Sequence, residues 1–414
     1  MRHSHRPFAT RTEERSASHS AHLRGLNIDR VLKVAIDRPG TFTRMELIEA
    51  TGLSAPTVGT LTAHLIETGV LTDLGTAPSR GGRRPTLMTF NARHGFVAGI
   101  DLGPTRTRLA VGDLRGEQLA AEIMRTPLGV PPHPMVHELG DALRVLLARA
   151  DVSPARLMAV VAGAPGPVDL ESGNVIYAPN LRGWSEVPLR RLLQQEFSSA
   201  AVVIENDVNL ALLGEHWRGA ARGHDTCAFM FVGTGIGSAI LIDGALHHGH
   251  HFMAGEIGTM SMAPEHVGQD FGSRGCLESL ASLDALRARW PGAAQETPDR
   301  WFAALVARGQ DGDPDARDAI EQTARLIAMA TCNVGAVVDP SRIVLGGAMF
   351  ADAAPLVDAV GRIVRQIART PFDVVVSALG KEAPLAGCLL VGAGEAQRVL
   401  RQTLRAAGRQ ARVV

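Results

Sequence analysis

Apolar residues recur at helical spacing from Asn27 to Asp37, where Ile28, Val31, Leu32 and Ala35 share one face and Pro39-Gly40 ends the run. Thr43 is placed to cap a second helix, with Glu46 three residues later completing a capping box and Gly52 stopping it. Ser54 is placed to cap a third helix over 55–68, with Pro56 in its first turn. Its inward face is Val58, Leu61 and Leu65, which leaves Thr57, Thr60 and His64 outward. Helix, glycine turn and helix predict a helix-turn-helix whose third helix is the reading element. Two short β-type runs, 70–74 and 86–90, then flank the loop SRGGRRP at 79–85, the pattern of a winged hairpin.

From residue 96 the pattern changes to strands alternating with helices. Strand-like runs fall at 96–114, 157–162, 201–205, 226–232 and 342–345, and most end in a glycine-containing turn. This predicts an α/β body in two halves, joined near residues 200–230, with a cleft between them. The longest apolar stretch, Cys227 to Ile242, is interrupted by Gly233, Gly235 and Gly237, which argues against a membrane span.

Charge sharpens this division. The 414 residues carry 42 Lys/Arg and 42 Asp/Glu, yet residues 1–95 hold 13 basic against 8 acidic side chains. A basic head on an acidic body suits an anionic partner for the head alone. The expected organisation is a disordered Arg-rich tail at 1–22, a winged helix-turn-helix at 23–92 and a ligand-sensing body at 93–414. Operator DNA is the expected partner, contacted by Arg44, Ser54, Thr57, Thr60 and His64 and by the wing residues Arg80, Arg83 and Arg84. The reading helix has no Arg or Lys, so a bidentate arginine–guanine contact from it is excluded. An A·T-rich operator read by shape through the wing is expected instead. The N-terminus lacks an apolar h-region and the four cysteines form no C-x-x-C pair, so a cytoplasmic chain with reduced thiols is expected.

The body carries its chemistry at strand ends. Asp101, Gly103 and Thr105 form D-x-G-x-T, a turn able to hold Mg²⁺ and present amides to phosphates. Gly233, Thr234 and Gly235 open a second flexible turn, and Gly346-Gly347 a third. Glu205-Asn206-Asp207 begins a helix, and Glu256 and Glu278 lie in AGEIG and GCLE. Carboxylates and an amide that converge on a cleft can bind several hydroxyls of one sugar. Capping of the following helix is the plainer account of Asn206 and Asp207.

In their fixed order these motifs resemble the ROK family (repressors, open reading frames and sugar kinases), specifically its winged-helix transcriptional regulators, over roughly residues 24–400. The resemblance implies an actin/hexokinase-like (ribonuclease H-like) body of two α/β lobes around a sugar- and ATP-type cleft. It implies sugar contacts from Asn206, Asp207, Glu256 and Glu278, with Gly166 and Asn180 as further candidates, and it puts Asp207 at the kinase general base. The 101–105 and 233–235 turns match the phosphate loops, and Gly346-Gly347 matches the adenosine-side turn.

Two departures matter. Family members carry His after G-E-I-G and then C-x-C-G-x-x-G-C-x-E, which supply structural zinc; the matching positions here are Thr259, Gln269, Phe271 and Cys276. One ligand of four remains, so no zinc or other cofactor is expected, and the segments bearing Glu256 and Glu278 are expected to be looser than in relatives. The cluster His247, His248, His250 and His251 does not replace the site, because adjacent histidines diverge. Pro104 stands where a second glycine is usual, stiffening the first phosphate loop and removing a donor.

The expected function is therefore a repressor of carbohydrate-related genes that senses a sugar or sugar derivative, works as a homodimer or dimer of dimers, touches no membrane and is not an enzyme. The alternatives are an ATP-dependent sugar kinase with a fused DNA-binding module, and a regulator that no longer binds a small ligand.

Overall fold

The computed structural model describes residues 10–410, apart from 77–84, 128, 179–180, 182, 298–299, 352 and 370. Its N-terminal part contains α1 (Thr10–Asp37), β1 (Thr41–Thr43), α2 (Arg44–Thr51), α3 (Ala55–Glu67), β2 (Leu71–Thr76) and β3 (Thr86–Phe90). The local signals act as the sequence suggested. Thr43 and Glu46 close a reciprocal capping box, Gly52 takes the left-handed C-cap of α2, and the Ser54 hydroxyl accepts from Thr57 N. The sheet order β1-β3-β2 includes one short strand, β1, that the hydrophobic pattern did not announce.

Helix α1 corrects the expectation of a disordered tail through residue 22. It begins at Thr10, because no glycine or proline lies between Ala9 and Arg24 and an existing helix lengthens more readily than a new one nucleates. Residues 1–9 lie outside the described part.

Two lobes follow, each built on a five-stranded mixed sheet. The first lobe holds β4 (Phe96–Leu102), β5 (Arg106–Asp113), β6 (Gln118–Arg125), β7 (Leu157–Ala164), β8 (Val168–Asp169), β9 (Asn174–Tyr177), β10 (Ser185–Val187) and β11 (Ala201–Asn206), with α4 (Pro132–Arg149) and α5 (Leu189–Glu196). Its main sheet runs β11-β7-β4-β5-β6, in which β4, β7 and β11 are parallel and β5 and β6 return antiparallel. Helix α6 (Asp207–Arg218) leads to the second lobe, with β12 (Cys227–Val232), β13 (Ile236–Ile242), β14 (Ala245–Leu246), β15 (Arg342–Gly346) and β16 (Asp373–Val376). That sheet, β14-β13-β12-β15-β16, repeats the pattern, with a parallel trio and an antiparallel hairpin. Helices α7 (Cys276–Ala281), α8 (Leu283–Arg289), α9 (Trp301–Asp311), α10 (Pro314–Val338) and α11 (Ala354–Ile367) cover it, and α12 (Ala383–Gln410) runs back to the first lobe.

The winged helix is docked rather than tethered. Ile28, Val31 and Leu32 of α1 share one buried apolar cluster with Val97, Ala110, Leu385, Leu400 and Leu404 of the body. Arg115, in the β5–β6 turn, donates to the carbonyls of Ala35 and Arg38 at the end of α1. Among the described residues no helix is long and apolar enough to cross a membrane.

Candidate functional site

The cleft forms where β11 gives way to α6. Asn206 caps that helix, its Oδ1 accepting from Val208 N at 2.9 Å and Asn209 N at 3.0 Å while its Nδ2 donates to Gly166 O at 3.0 Å. The capping account of Asn206 is thus correct, and the same bonds fix the Gly166 loop. Gly166 has φ +109, and a Cβ there would lie 2.2 Å from Tyr177 O, so only glycine lets the loop pass. Asp207 follows, with Oδ1 accepting from Val208 N.

Across the cleft stand two carboxylates. Glu278, buried on α7, accepts from Ile236 N at 2.9 Å through Oε2, while its Oε1 is buried with no partner. An unpaired buried carboxylate oxygen is costly unless something donates to it. Glu256 meets Tyr177 Oη at 3.5 Å, a link from one lobe to the other. Pro104, Gly166, Asn206, Asp207, Glu256 and Glu278 line one cavity of about 120 Å³. That volume suits one small polar molecule rather than a large ligand. A larger open groove of about 610 Å³ lies among α9, α10 and α11, but Arg362 on its wall is already paired with Glu321. Chemistry, not volume, makes the smaller cavity the candidate site.

Burial sets the charge state here. Asp207 is pushed up to about 8 by the protein around it, with the Asp101 and Glu256 charges adding to the effect. Glu256 and Glu278 are likewise held above the usual carboxylate range by burial. Near neutral pH Asp207 can therefore hold a proton and donate a hydrogen bond as well as accept one.

The phosphate-type turns are only partly brought together. Pro104 of the first lines the same cavity as Thr234 and Gly235 of the second, whereas Gly346 and Gly347 do not line it; Gly346 pairs in register with Phe231 at the end of β15. Thr105 is exposed. Asp101 is buried and bound to Arg108, its partner across the β4–β5 hairpin, at 3.2 Å. Burial nevertheless lifts its carboxyl to about 6. A cation is already in place where a metal-bound nucleotide would need the carboxylate free.

Sequence reasoning missed Tyr177, Arg108, Arg274 on the cavity wall, and a second interlobe contact. In that contact His248 Nε2 lies 2.9 Å from Glu205 Oε2, while Glu205 Oε1 accepts from Asn206 N and Asn209 Nδ2. Tyr177 had one available signal: it is the sole tyrosine of the chain. Asn180 lies outside the described residues.

The histidine bridge carries a pH prediction. Glu205 raises the His248 pKa, so the bridge contributes fully below the ordinary histidine value and is lost as pH rises through the raised one. Between pH 6 and pH 9 the wild-type melting temperature should fall further than that of His248→Gln, by about 1–2 °C for a partly exposed pair. Parallel melting curves for the two proteins would show the bridge to be inert.

On the DNA side, Thr60 is exposed and its hydroxyl donates to Pro56 O, which leaves an acceptor oxygen and a methyl outward. Thr57 is half-buried and bonded to the exposed Ser54 at 2.8 Å. Arg44, also exposed, donates through Nε to Thr62 Oγ1, holding α2 against α3. His64 is a correction: its ring is half-buried and its Nε2 is shut from solvent, because it sits at the edge of the face that packs inward. Arg80, Arg83 and Arg84 lie outside the described residues.

The residues at the inherited zinc positions do not fit the metal. Gln269 donates to Glu265 O, Phe271 packs against the second-lobe core, and Thr259 donates to Glu256 O. Among the described residues no group of three or more His, Cys, Asp or Glu is placed to hold a metal ion.

Known proteins share the sequence pattern and fold of this chain. The ROK family profile matches residues 97–393. The chain is 28% identical over 386 residues to a xylose repressor of Caldicellulosiruptor bescii, covering 89% of this chain and 95% of that one. It is 30% identical to a glucokinase of Streptomyces coelicolor, over 71% of this chain and 96% of the enzyme. A crystal structure of a ROK family transcriptional regulator, a homolog of the E. coli MLC protein, superposes with TM-score 0.73 at 22% identity, over 94% of this chain and 99% of that one.

Proposed function

The chain belongs to the ROK family, and from that premise we propose that it is a sugar-responsive transcriptional repressor of carbohydrate-related genes. Residues 23–92 read operator DNA, and the cleft of residues 93–414 binds a sugar or sugar derivative. The observation that carries the sensing role is the buried Glu278 carboxyl, its Oε1 unpaired, on the wall of a cavity shared with Asp207 and Glu256. Three carboxyl groups in one small cavity favour a neutral polyol over a phosphorylated or acidic sugar. The regulator works in the cytoplasm on paired half-sites, as a homodimer or dimer of dimers.

A kinase reading has one favourable observation, the retained Asp207 beside the phosphate-type turns. Two others oppose it. Arg108 occupies Asp101, and Pro104 removes a backbone donor from the first turn.

The test selects binding sites from random duplexes, then measures affinity for the selected operator with and without D-xylose or D-glucose. The expected outcome is an A·T-rich site bound more weakly when sugar is present. Incubation with Mg-ATP and the same sugars should release no ADP above background. Sugar-dependent turnover near 1 s⁻¹ or faster, a rate ordinary for kinases, would establish the enzyme instead.

A further inference from the structure

The segment between Ile257 and α7 would be a loose excursion if only its ends held it. It is pinned near its middle. Cys276, buried as the first residue of α7, places Sγ 3.3 Å from His266 Nδ1. Phe271 meets the His266 ring edge-on at 5.8 Å between centroids and packs against the second-lobe core. His266 itself belongs to a short turn, closed by His266 N donating to Ala263 O and by Gln269 Nε2 donating to Glu265 O. Gly275, with φ +80, presses on the other side, where a Cβ would lie 2.6 Å from Thr259 Cα.

The consequence lies in what flanks this node. Arg274 stands two residues before Cys276 and Glu278 two residues after it, and both line the cleft together with Thr259. Glu278 is held on the cavity wall by its bond from Ile236 N to Oε2, which leaves Oε1 unpaired. Any freedom at Cys276 passes directly into Glu278, because α7 has only six residues.

We infer that His266 and Cys276, shielded by Phe271, form a metal-free clamp that positions Glu278, Arg274 and Thr259 for the ligand. The clamp does with a thiol–imidazole contact and an aromatic plug what a four-ligand metal would do for this loop. The expectation of a looser loop is thereby replaced by one of a pinned loop whose order depends on a histidine and a thiol rather than on zinc. Serine at position 276 keeps a hydroxyl able to bond the imidazole, whereas alanine does not.

This inference rests on the sugar-sensing reading for its ligand arm but not for its structural arm, so the two can fail separately. In the structural arm, hydrogen exchange on the full-length protein is followed in segment 260–282. His266→Ala and Cys276→Ala should exchange there at least tenfold faster than wild type, with the first lobe unchanged. Cys276→Ser should stay within threefold of wild type, and a chelator should not alter the wild-type pattern. Unchanged exchange in His266→Ala, equal behaviour of the serine and alanine variants, or loosening by chelator would each overturn the clamp.

In the ligand arm, D-xylose and D-glucose are titrated as probes. Whichever binds wild type should bind His266→Ala at least tenfold more weakly and Cys276→Ser nearly normally; equal affinity for His266→Ala would show that the node positions nothing. Failure of both sugars to bind wild type would count against the sensing reading, and the exchange arm would still decide the clamp.

Discussion

Asp207→Asn is expected to raise the melting temperature at pH 8 by about 3 °C or more while weakening sugar binding at least about 30-fold. Both effects follow from one half-buried carboxyl. Its pKa is pushed up to about 8, chiefly by burial and next by the Asp101 charge. The folded state therefore keeps a proton that the unfolded chain releases near pH 4. Stability falls as pH rises from about 4 to about 8, and above that both states are ionised and the loss is complete. Asparagine has no such proton and can still accept from Val208 N, the bond that Asp207 Oδ1 makes in the first turn of α6. The stability gain should accordingly be small at pH 4, grow to pH 8 and level off beyond it. Sugar binding weakens by the same change, since a carboxyl that ionises can accept from sugar hydroxyls on both oxygens and an amide accepts on one alone. Melting curves between pH 4 and 9, with sugar titrations at pH 7, make the measurement. Full sugar affinity in Asp207→Asn would place the effector outside this cleft, and a flat stability difference across pH would show that Asp207 is ordinarily ionised.

What could be read in the sequence divides by the range of the interactions. The Thr43–Glu46 box, the Gly52 stop and the Ser54 cap were legible because each depends on residues within about three positions. The family motifs located Asp207, Glu256 and Glu278, and the structure brings these into one cavity. Their partners were not legible. Tyr177 and Glu256 are 79 residues apart, and His248 and Glu205 are 43 apart, so only the closing of two lobes creates those contacts. Asp101 and Arg108 are seven apart and face each other across a hairpin, a pairing that strand register could have exposed. The early start of α1 was missed for a different reason: residues 10–22 show no apolar stripe, and periodicity reports burial rather than helicity. His64 shows the converse limit, for an angular assignment cannot tell a groove-facing edge from a packed one.

Shortening Leu400 and Leu404 together to alanine should leave sugar affinity within about twofold of wild type yet nearly abolish the effect of sugar on operator binding. The reason is the path of α12. At the cleft, Asn206 and Asp207 begin α6, and α6 crosses α12 without side chains between them. A Cβ on Gly214 would lie 2.2 Å from Ala383 O, and one on Gly387 2.0 Å from Leu210 O. Helices in such backbone contact must move together or separate. Farther along, Leu400 and Leu404 enter the cluster built by Ile28, Val31 and Leu32, and Arg405 pairs with Asp29. One helix thus touches both the ligand-bearing helix and the DNA-reading domain. A ligand alters DNA affinity only through its preference for one lobe arrangement, and that preference reaches the winged helix only if the docking is firm. Typical coupling spans roughly 5- to 150-fold in affinity, and the double variant should retain less than about threefold. Each truncation also removes about 2–5 kcal/mol of packing from the docking face, so the winged helix is released while the cleft, on the far side of α6, keeps its geometry. Operator affinity with and without sugar, measured for both proteins, decides the point. A full response in the double variant would mean that the signal bypasses these two leucines and travels through other contacts between body and reading head, such as those of Arg115 with the end of α1 and the packing of Val97 and Ala110.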